Sequence, residues 1–201
     1  LTDVTSLLRI EVESGAARLA ARLAEQGLPA AADARQVEIE VSPERITRLM
    51  TVDLLAPLHL MHYVLQDMLE RKQGAIANIA SVAGIVHTPG MAHYNSAKAG
   101  LAAASESMRV ELANSGVHIL TVYPGPVHSD MEAAARDQFA DSSAVEHLPT
   151  GKPGELAKLV ALGIEKKKAR IIYPKIYAFN RSARNLSQWF TDRFAPPLKD
   201  E

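Results

Sequence analysis

Cysteine is absent from the 201 residues, which excludes disulfides, thiolate metal sites and cysteine nucleophiles. Aromatic residues are scarce at 5%, so Ala, Leu, Ile and Val must fill a core drawn from a hydrophobic content of 47%. Neither sign of charge is in excess: 22 Lys and Arg stand against 23 Asp and Glu, for a net charge of −1. That balance provides no general attraction to nucleic acid or to an anionic membrane. No apolar run reaches the length of a membrane span, and the N-terminus shows no signal-peptide pattern. Repeats and low-complexity segments are also missing. The length suits one domain, and the default expectation is a soluble cytoplasmic protein.

What is present is a regular alternation of apolar segments. Residues 15–27 read as an amphipathic helix ending at Gly27, and residues 28–36 as irregular chain. Ser42, Pro43 and Glu44 make a strong helix start, predicting a helix to about Glu70 with a possible break at Pro57. Ala75–Ala80 is a short apolar run consistent with a buried strand, with Ser81 at its C-terminal end. Residues 82–93 read as a loop. A second long helix starts near His93 and is expected to run to Gly116 at a C-cap position. Val117–Tyr123 is another buried strand, ending at Pro124-Gly125-Pro126. Residues 127–150, rich in Asp, Ser and Ala, read as a mobile segment. A helix over 154–166, a short strand over 171–174 and a basic, aromatic helical tail over 176–195 complete the chain. This order predicts an α/β fold with a parallel sheet. Such sheets bind ligands at the C-terminal ends of their strands, where Ser81 and Pro124-Gly125 both fall.

Tyr94 and Lys98 are four apart on the second long helix and so share a face. An isolated tyrosine hydroxyl has a pKa of about 10, too high for easy proton transfer near neutrality. A neighbouring ammonium stabilises the phenolate, and Lys98 is placed to provide one. Ser81, thirteen residues before Tyr94, could hydrogen-bond a substrate oxygen beside the tyrosine. A lone Tyr-x-x-x-Lys is common by chance. The compound signal of strand, serine, Tyr-x-x-x-Lys and a strand ending in Pro-Gly is far more specific.

Asn78-Ile79-Ala80-Ser81-Val82-Ala83-Gly84, Tyr94-Asn95-Ser96-Ala97-Lys98 and Tyr123-Pro124-Gly125-Pro126-Val127 together resemble the short-chain dehydrogenase/reductase family. The resemblance covers roughly residues 40–130. It implies a Rossmann-like, doubly wound parallel sheet in three α/β/α layers. It also implies a hydride transfer between NAD or NADP, with NADP slightly favoured, and a carbonyl or alcohol substrate. By the same resemblance, Tyr94 is the general acid/base and Lys98 its partner and a ligand of the nicotinamide ribose. Ser81 orients the substrate carbonyl, Pro124, Gly125 and Val127 form the turn that holds the nicotinamide, and Ser129 stands where a threonine usually touches the carboxamide. Asp53 stands where the family has an asparagine that supports a proton-relay water. An aspartate puts a negative charge near Lys98 and loses the amide donor. The family pattern further implies a homodimer or homotetramer built through the two long helices, whose Ala99, Gly100, Ala102, Ala103 and Ala104 permit close packing.

The family's glycine-rich pyrophosphate turn is not recognisable. Ser14-Gly15-Ala16-Ala17 matches only its start, and Thr2-Asp3-Val4-Thr5 is a faint match to an adenine contact. Two βαβ units with a fourth strand need roughly 75–100 residues, yet 52 precede Asp53. Either flexible cofactor segments are left out of this sequence, the preferred reading, or a cofactor half is lacking. The expected division is a remnant of that half over 1–41, a catalytic core over 42–130, and a substrate loop and C-terminal segment over 131–201, all in one domain.

Other features are weaker. His59 and His62 lack further ligands at metal-site spacing, so no metal is expected. His87 and His93 flank the substrate loop and read as ordinary loop residues. The tail joins Tyr173, Tyr177, Phe179, Trp189 and Phe190 to Arg181, Arg184 and Arg193. Such a segment can lie on a membrane or cover a pocket; packing on its own domain or on a partner subunit is favoured. A non-catalytic scaffold relative is the competing function. A serine hydrolase is weaker, because Ser81 lacks the Gly-x-Ser-x-Gly elbow.

Overall fold

The computed structural model describes residues 6–11, 21, 30–33, 36–41, 44–87, 89–137 and 148–195. The chain divides into two compact units, Leu1–Arg48 and Leu49–Glu201. The first contains three strands, β1 (Ser6–Glu11), β2 (Ala30–Asp33) and β3 (Gln36–Val41). They form a sheet in the order β1-β3-β2, with both pairings antiparallel. Residues 28–36, expected to be irregular, therefore contain β2 and the start of β3. The apolar/polar alternation Val37-Glu38-Ile39-Glu40-Val41 has the period of two that a strand requires. Of the helix expected over 15–27, only Ala21 is described, and it is helical. The Ser14–Ala17 match and the Thr2–Thr5 match lie outside the described residues.

The second long stretch begins with α1 (Glu44–Met50), continues through a π-helical turn over Thr51–Leu55 and becomes α2 (Ala56–Glu70). Ser42 and Pro43 lie outside the described residues. Pro57 has no N–H to give to the preceding turn, and the chain accommodates this by widening just before it. The Ala56 N–H reaches back five residues to the Thr51 carbonyl. The expected break is thus a change of helical register, and Asp53 sits inside it.

A parallel sheet follows in sequence order: β4 (Gly74–Ile79), β5 (Val117–Pro124) and β6 (Arg170–Tyr173). β5 is covered on both faces, which suits its largely apolar sequence, Val117-His118-Ile119-Leu120-Thr121-Val122-Tyr123. On one face Leu120, Val122, Ile171 and Tyr173 pack against Leu156, Leu159 and Val160 of α5 (Pro153–Glu165). Gly163 lets this helix approach closely: a Cβ there would lie 2.5 Å from Ile171 Cδ1. On the other face Ala80, Tyr123 and Ile172 meet Ala102 of α3 (Ala92–Glu111). Each fully buried Leu, Ile or Val contributes about 1.5–3 kcal/mol. Buried Asn78 is satisfied across the layers, donating to Ser105 Oγ at 2.8 Å and Met61 Sδ at 2.9 Å. This part of the chain is a three-layer, Rossmann-like α/β structure.

Two expectations are corrected. α3 ends at Glu111, not at Gly116. Gly116, with φ +85°, instead turns the chain into β5. Residues 127–150 are not all loop, since α4 spans Asp130–Asp137. The tail forms a 3₁₀ turn over Lys175–Tyr177, then α6 (Ala178–Ser182) and α7 (Arg184–Phe194). No described helix is long and apolar enough to cross a membrane.

Candidate active site

β4 ends at Ile79, and Ser81 follows as the cap of a 3₁₀ turn over Val82–Gly84. The serine is buried at 8% exposure. Its Oγ accepts the Ala83 N–H at 3.1 Å and donates weakly to the Pro124 carbonyl at 3.4 Å. Ser81 and Pro124, ends of adjacent strands, are therefore in direct contact. A better acceptor, such as a substrate oxygen, could take the serine proton from that long bond.

Lys98 lies one helical turn after Tyr94 on α3, with its ammonium 5.7 Å from the tyrosine ring centroid. The same ammonium donates to the Ile79 carbonyl at 3.2 Å and pairs with Asp53 Oδ1 at 3.0 Å. Lys98 and Asp53 side chains are only 12% and 26% exposed. Asp53 reaches the lysine from within the widened turn before Pro57. Gly84 joins the serine turn to α3, since a Cβ there would lie 3.0 Å from Lys98 and Ala99 backbone atoms. Asp53, Ile79, Tyr94 and Lys98 thus form one group, and Ser81, Ala83 and Pro124 another, linked through Gly84.

The remaining site residues follow β5. Gly125 N–H donates to the Tyr173 carbonyl at 2.8 Å, and a Cβ on Gly125 would meet the Tyr177 ring at 2.7 Å. Val127 bridges to Gly151. Ser129 is exposed, and its Oγ accepts the Glu132 N–H at 3.2 Å at the start of α4. His93, His59 and His62 are exposed. Among the described residues, no cluster of three His, Asp or Glu is placed to hold a metal ion.

Beside this site a charged cluster ties α3 to the sheet. Glu106 accepts hydrogen bonds from Arg170, from Tyr123 Oη at 3.0 Å and from Arg109 at 3.3 Å, with Arg181 at 3.7 Å. Burial pushes the Glu106 carboxyl up, but the Arg170 and Tyr123 hydrogen bonds and the arginine charges outweigh it and hold it below 4.5. Burial and the Glu106 charge push the Tyr123 hydroxyl up to about 12, so it remains a donor. Nothing in local sequence marks Glu106, because Arg170 is 64 residues away. The same holds for Gln188 and Arg184, which hold the loop after Ser81.

Fold and site together define a Rossmann-like α/β protein with its polar groups gathered at the C-terminal ends of parallel strands. The sequence profile of the family described as short chain dehydrogenase matches residues 26–140. The chain belongs to that family. It is 33% identical over 126 residues to the 3-oxoacyl-[acyl-carrier-protein] reductase FabG of Vibrio cholerae, covering 61% of this chain and 51% of the relative. It is 32% identical over 125 residues to the cyclohexanol dehydrogenase of an Acinetobacter species, covering 61% and 48%. The chain therefore spans about half the length of these curated relatives. A solved short-chain dehydrogenase from Sphingobium yanoikuyae, in complex with NADPH, shares the fold with a TM-score of 0.60 and 24% identity. That match covers 80% of this chain and 61% of the solved one.

Proposed function

We propose that this chain acts in an NAD(P)-dependent oxidoreductase that moves a hydride between nicotinamide and a carbonyl or alcohol carbon. The observation that carries the reading is that Lys98, over the Tyr94 ring, bonds the Ile79 carbonyl at the end of β4, while Ser81 just beyond it bonds Pro124 at the end of β5. The names of the relatives support it from both directions of the reaction, one being a reductase and one a dehydrogenase. NADP is favoured over NAD, in line with the NADPH complex of the structural neighbour.

The residues present fit the nicotinamide end of such a cofactor. A lysine ammonium has three N–H donors; two of those on Lys98 point to Asp53 and Ile79, leaving one for a ribose hydroxyl. Pro124, Gly125, Val127 and Ser129 line the following turn. When bound, the nicotinamide supplies or accepts the hydride. Ser81 Oγ–H, held by Ala83, orients the substrate oxygen. In reduction Tyr94 Oη gives its proton to that oxygen as the carbon gains the hydride; in oxidation it takes the proton back. Lys98 lies beside the Tyr94 ring, and Asp53 holds it there. The proposal includes a cytoplasmic homodimer or homotetramer, no nucleic-acid partner, and no membrane attachment by the tail.

The Asp53–Lys98 pair favours a second reading, a non-catalytic scaffold relative in which the lysine is neutralised by its neighbour. Titration with NADPH and NADH, followed by nicotinamide fluorescence, separates the two. Saturable binding of either supports the oxidoreductase; binding of neither leaves the scaffold.

A further inference from the structure

The C-terminal helix α7 is built inside out. Leu186, Trp189, Phe190 and Phe194 lie on one face and are 48–61% exposed, whereas Ser187 is buried. Burial of large apolar side chains therefore contributes little to holding α7, and its polar side does the attaching. Gln188 Oε1 accepts the His87 N–H at 2.8 Å, and Gln188 Nε2 donates to the His87 carbonyl at 3.2 Å. The amide thus pairs with both backbone groups of one residue, as a neighbouring strand would. One turn earlier, Arg184 Nε donates to the Ile85 carbonyl at 3.0 Å, and Arg184 Nη2 lies 3.2 Å from His87 Nε2.

These contacts continue to the candidate catalytic serine. His87 Nδ1 lies 3.1 Å from the Ala83 carbonyl. With Nδ1 protonated, the ring donates to Ala83 and accepts from Arg184, which satisfies both nitrogens. The Ala83 N–H in turn donates to Ser81 Oγ, which donates to Pro124. Hydrogen bonds therefore connect Gln188 to the His87 backbone, the His87 ring to the Ala83 carbonyl and the Ala83 N–H to Ser81, joined by the covalent frames of His87 and Ala83. The turn satisfies its own Gly84, Ile85 and Val86 N–H groups, and α7 satisfies the His87 N–H and the Ile85 and His87 carbonyls where the chain leaves it.

We propose that Gln188 and Arg184 are positioning residues: through His87 and Ala83 they hold Ser81 Oγ in the orientation in which it meets the substrate oxygen. The proposal rests on the oxidoreductase reading for its effect on turnover, but not for its structural half. Small displacements of a positioned group are costly to rate, so the effect falls on kcat rather than on KM.

The test combines amide hydrogen exchange with kinetics on the full chain. In Gln188→Ala, the His87 and Ala83 amides should exchange about tenfold faster, the equivalent of one lost hydrogen bond, while β5 amides keep their protection. With NADPH and a carbonyl substrate, kcat should fall about tenfold with KM nearly unchanged. Gln188→Glu keeps the acceptor for the His87 N–H and should retain that amide's protection and part of the rate. Unchanged Ala83 exchange in Gln188→Ala overturns the proposal. So does acceleration shared equally with β5, which makes Gln188 a general stabiliser, and so does an unchanged kcat with both amides exposed. If the wild-type chain turns over no carbonyl or alcohol, the oxidoreductase reading fails by itself, and exchange at Ala83 still decides whether α7 holds the serine.

Discussion

The Lys98 ammonium lies 3.0 Å from Asp53 Oδ1, so the lysine beside Tyr94 is already half of an ion pair. By resemblance the family has a neutral asparagine at position 53. If Lys98 serves a ribose hydroxyl and Tyr94 as proposed, the carboxylate competes with them for its charge. Asp53→Asn keeps an acceptor oxygen and removes that competition. The variant is expected to bind NADPH several-fold more tightly in the fluorescence titration. Its stability should change by less than about 1 kcal/mol, because the pair is partly exposed and screened. Unchanged affinity would mean that Asp53 does not restrain Lys98.

Tyr94→Phe removes a single hydroxyl from α3. If Tyr94 Oη carries the proton, kcat falls by about 10²–10⁴. Cofactor binding should be nearly unaffected, because Lys98 and the turn after β5 remain. Comparison of steady-state rates with the titration curve checks both halves. A variant that keeps its rate would remove Tyr94 from the chemistry.

How far these residues could be found without coordinates depends on the range of their contacts. The β4, β5 and β6 segments are legible because each is a short apolar run with a turn at its end. Ser81, Tyr94 and Lys98 are legible because their spacing is set by one strand, one loop and one helix. Ala30–Asp33 is not, since four small or polar residues carry no period and its pairing with Gln36–Val41 shows only in the sheet. Sequence puts the end of α3 at Gly116, five residues beyond Glu111, because a glycine after a helix usually caps it. Gln188 pairs with a residue 101 positions away, so no local pattern marks it.

Gly116 shows what that displaced glycine does. Its φ of +85° is one that other residues rarely adopt. A Cβ there would lie 2.1 Å from the Lys72 carbonyl oxygen, a backbone atom that cannot rotate away. Gly116→Ala should therefore destabilise by more than about 2 kcal/mol, despite the usual gain from restricting the unfolded chain. Urea unfolding provides the value. A neutral or stabilising result would mean that the turn into β5 relaxes freely.

Glu106 predicts a pH dependence with a defined sign. Its carboxyl is held below 4.5 in the folded chain, so the unfolded chain binds this proton at higher pH. The resulting stability is present above the ordinary carboxylate range and is lost as pH falls through the lowered folded value. Glu106→Gln should cost about 1–2 kcal/mol near neutrality, where it removes charged hydrogen bonds to Arg170 and Tyr123. Well below pH 4.5 the wild-type group is itself protonated, and the difference should shrink. Urea unfolding of both proteins at the two conditions decides the matter. Equal differences would show that the arginines do not depend on its charge.

The two long helices lead to a last expectation. Leu60, Tyr63 and Val64 on α2 are 63%, 73% and 40% exposed, and Val110 on α3 is 64% exposed. Residues 60, 63 and 64 fall on one face at helical spacing. An exposed apolar stripe of this kind marks a contact surface more often than it marks idle surface. We expect the wild-type chain to sediment as a dimer or tetramer joined through these helices. Leu60→Glu places a charge in the stripe, where it must be buried unpaired if the contact forms. That variant should sediment as a monomer with its thermal unfolding little changed at low concentration. If the wild type is monomeric at tens of micromolar, the stripe does not join copies of this chain. If Leu60→Glu leaves an oligomer intact, the contact lies on another face.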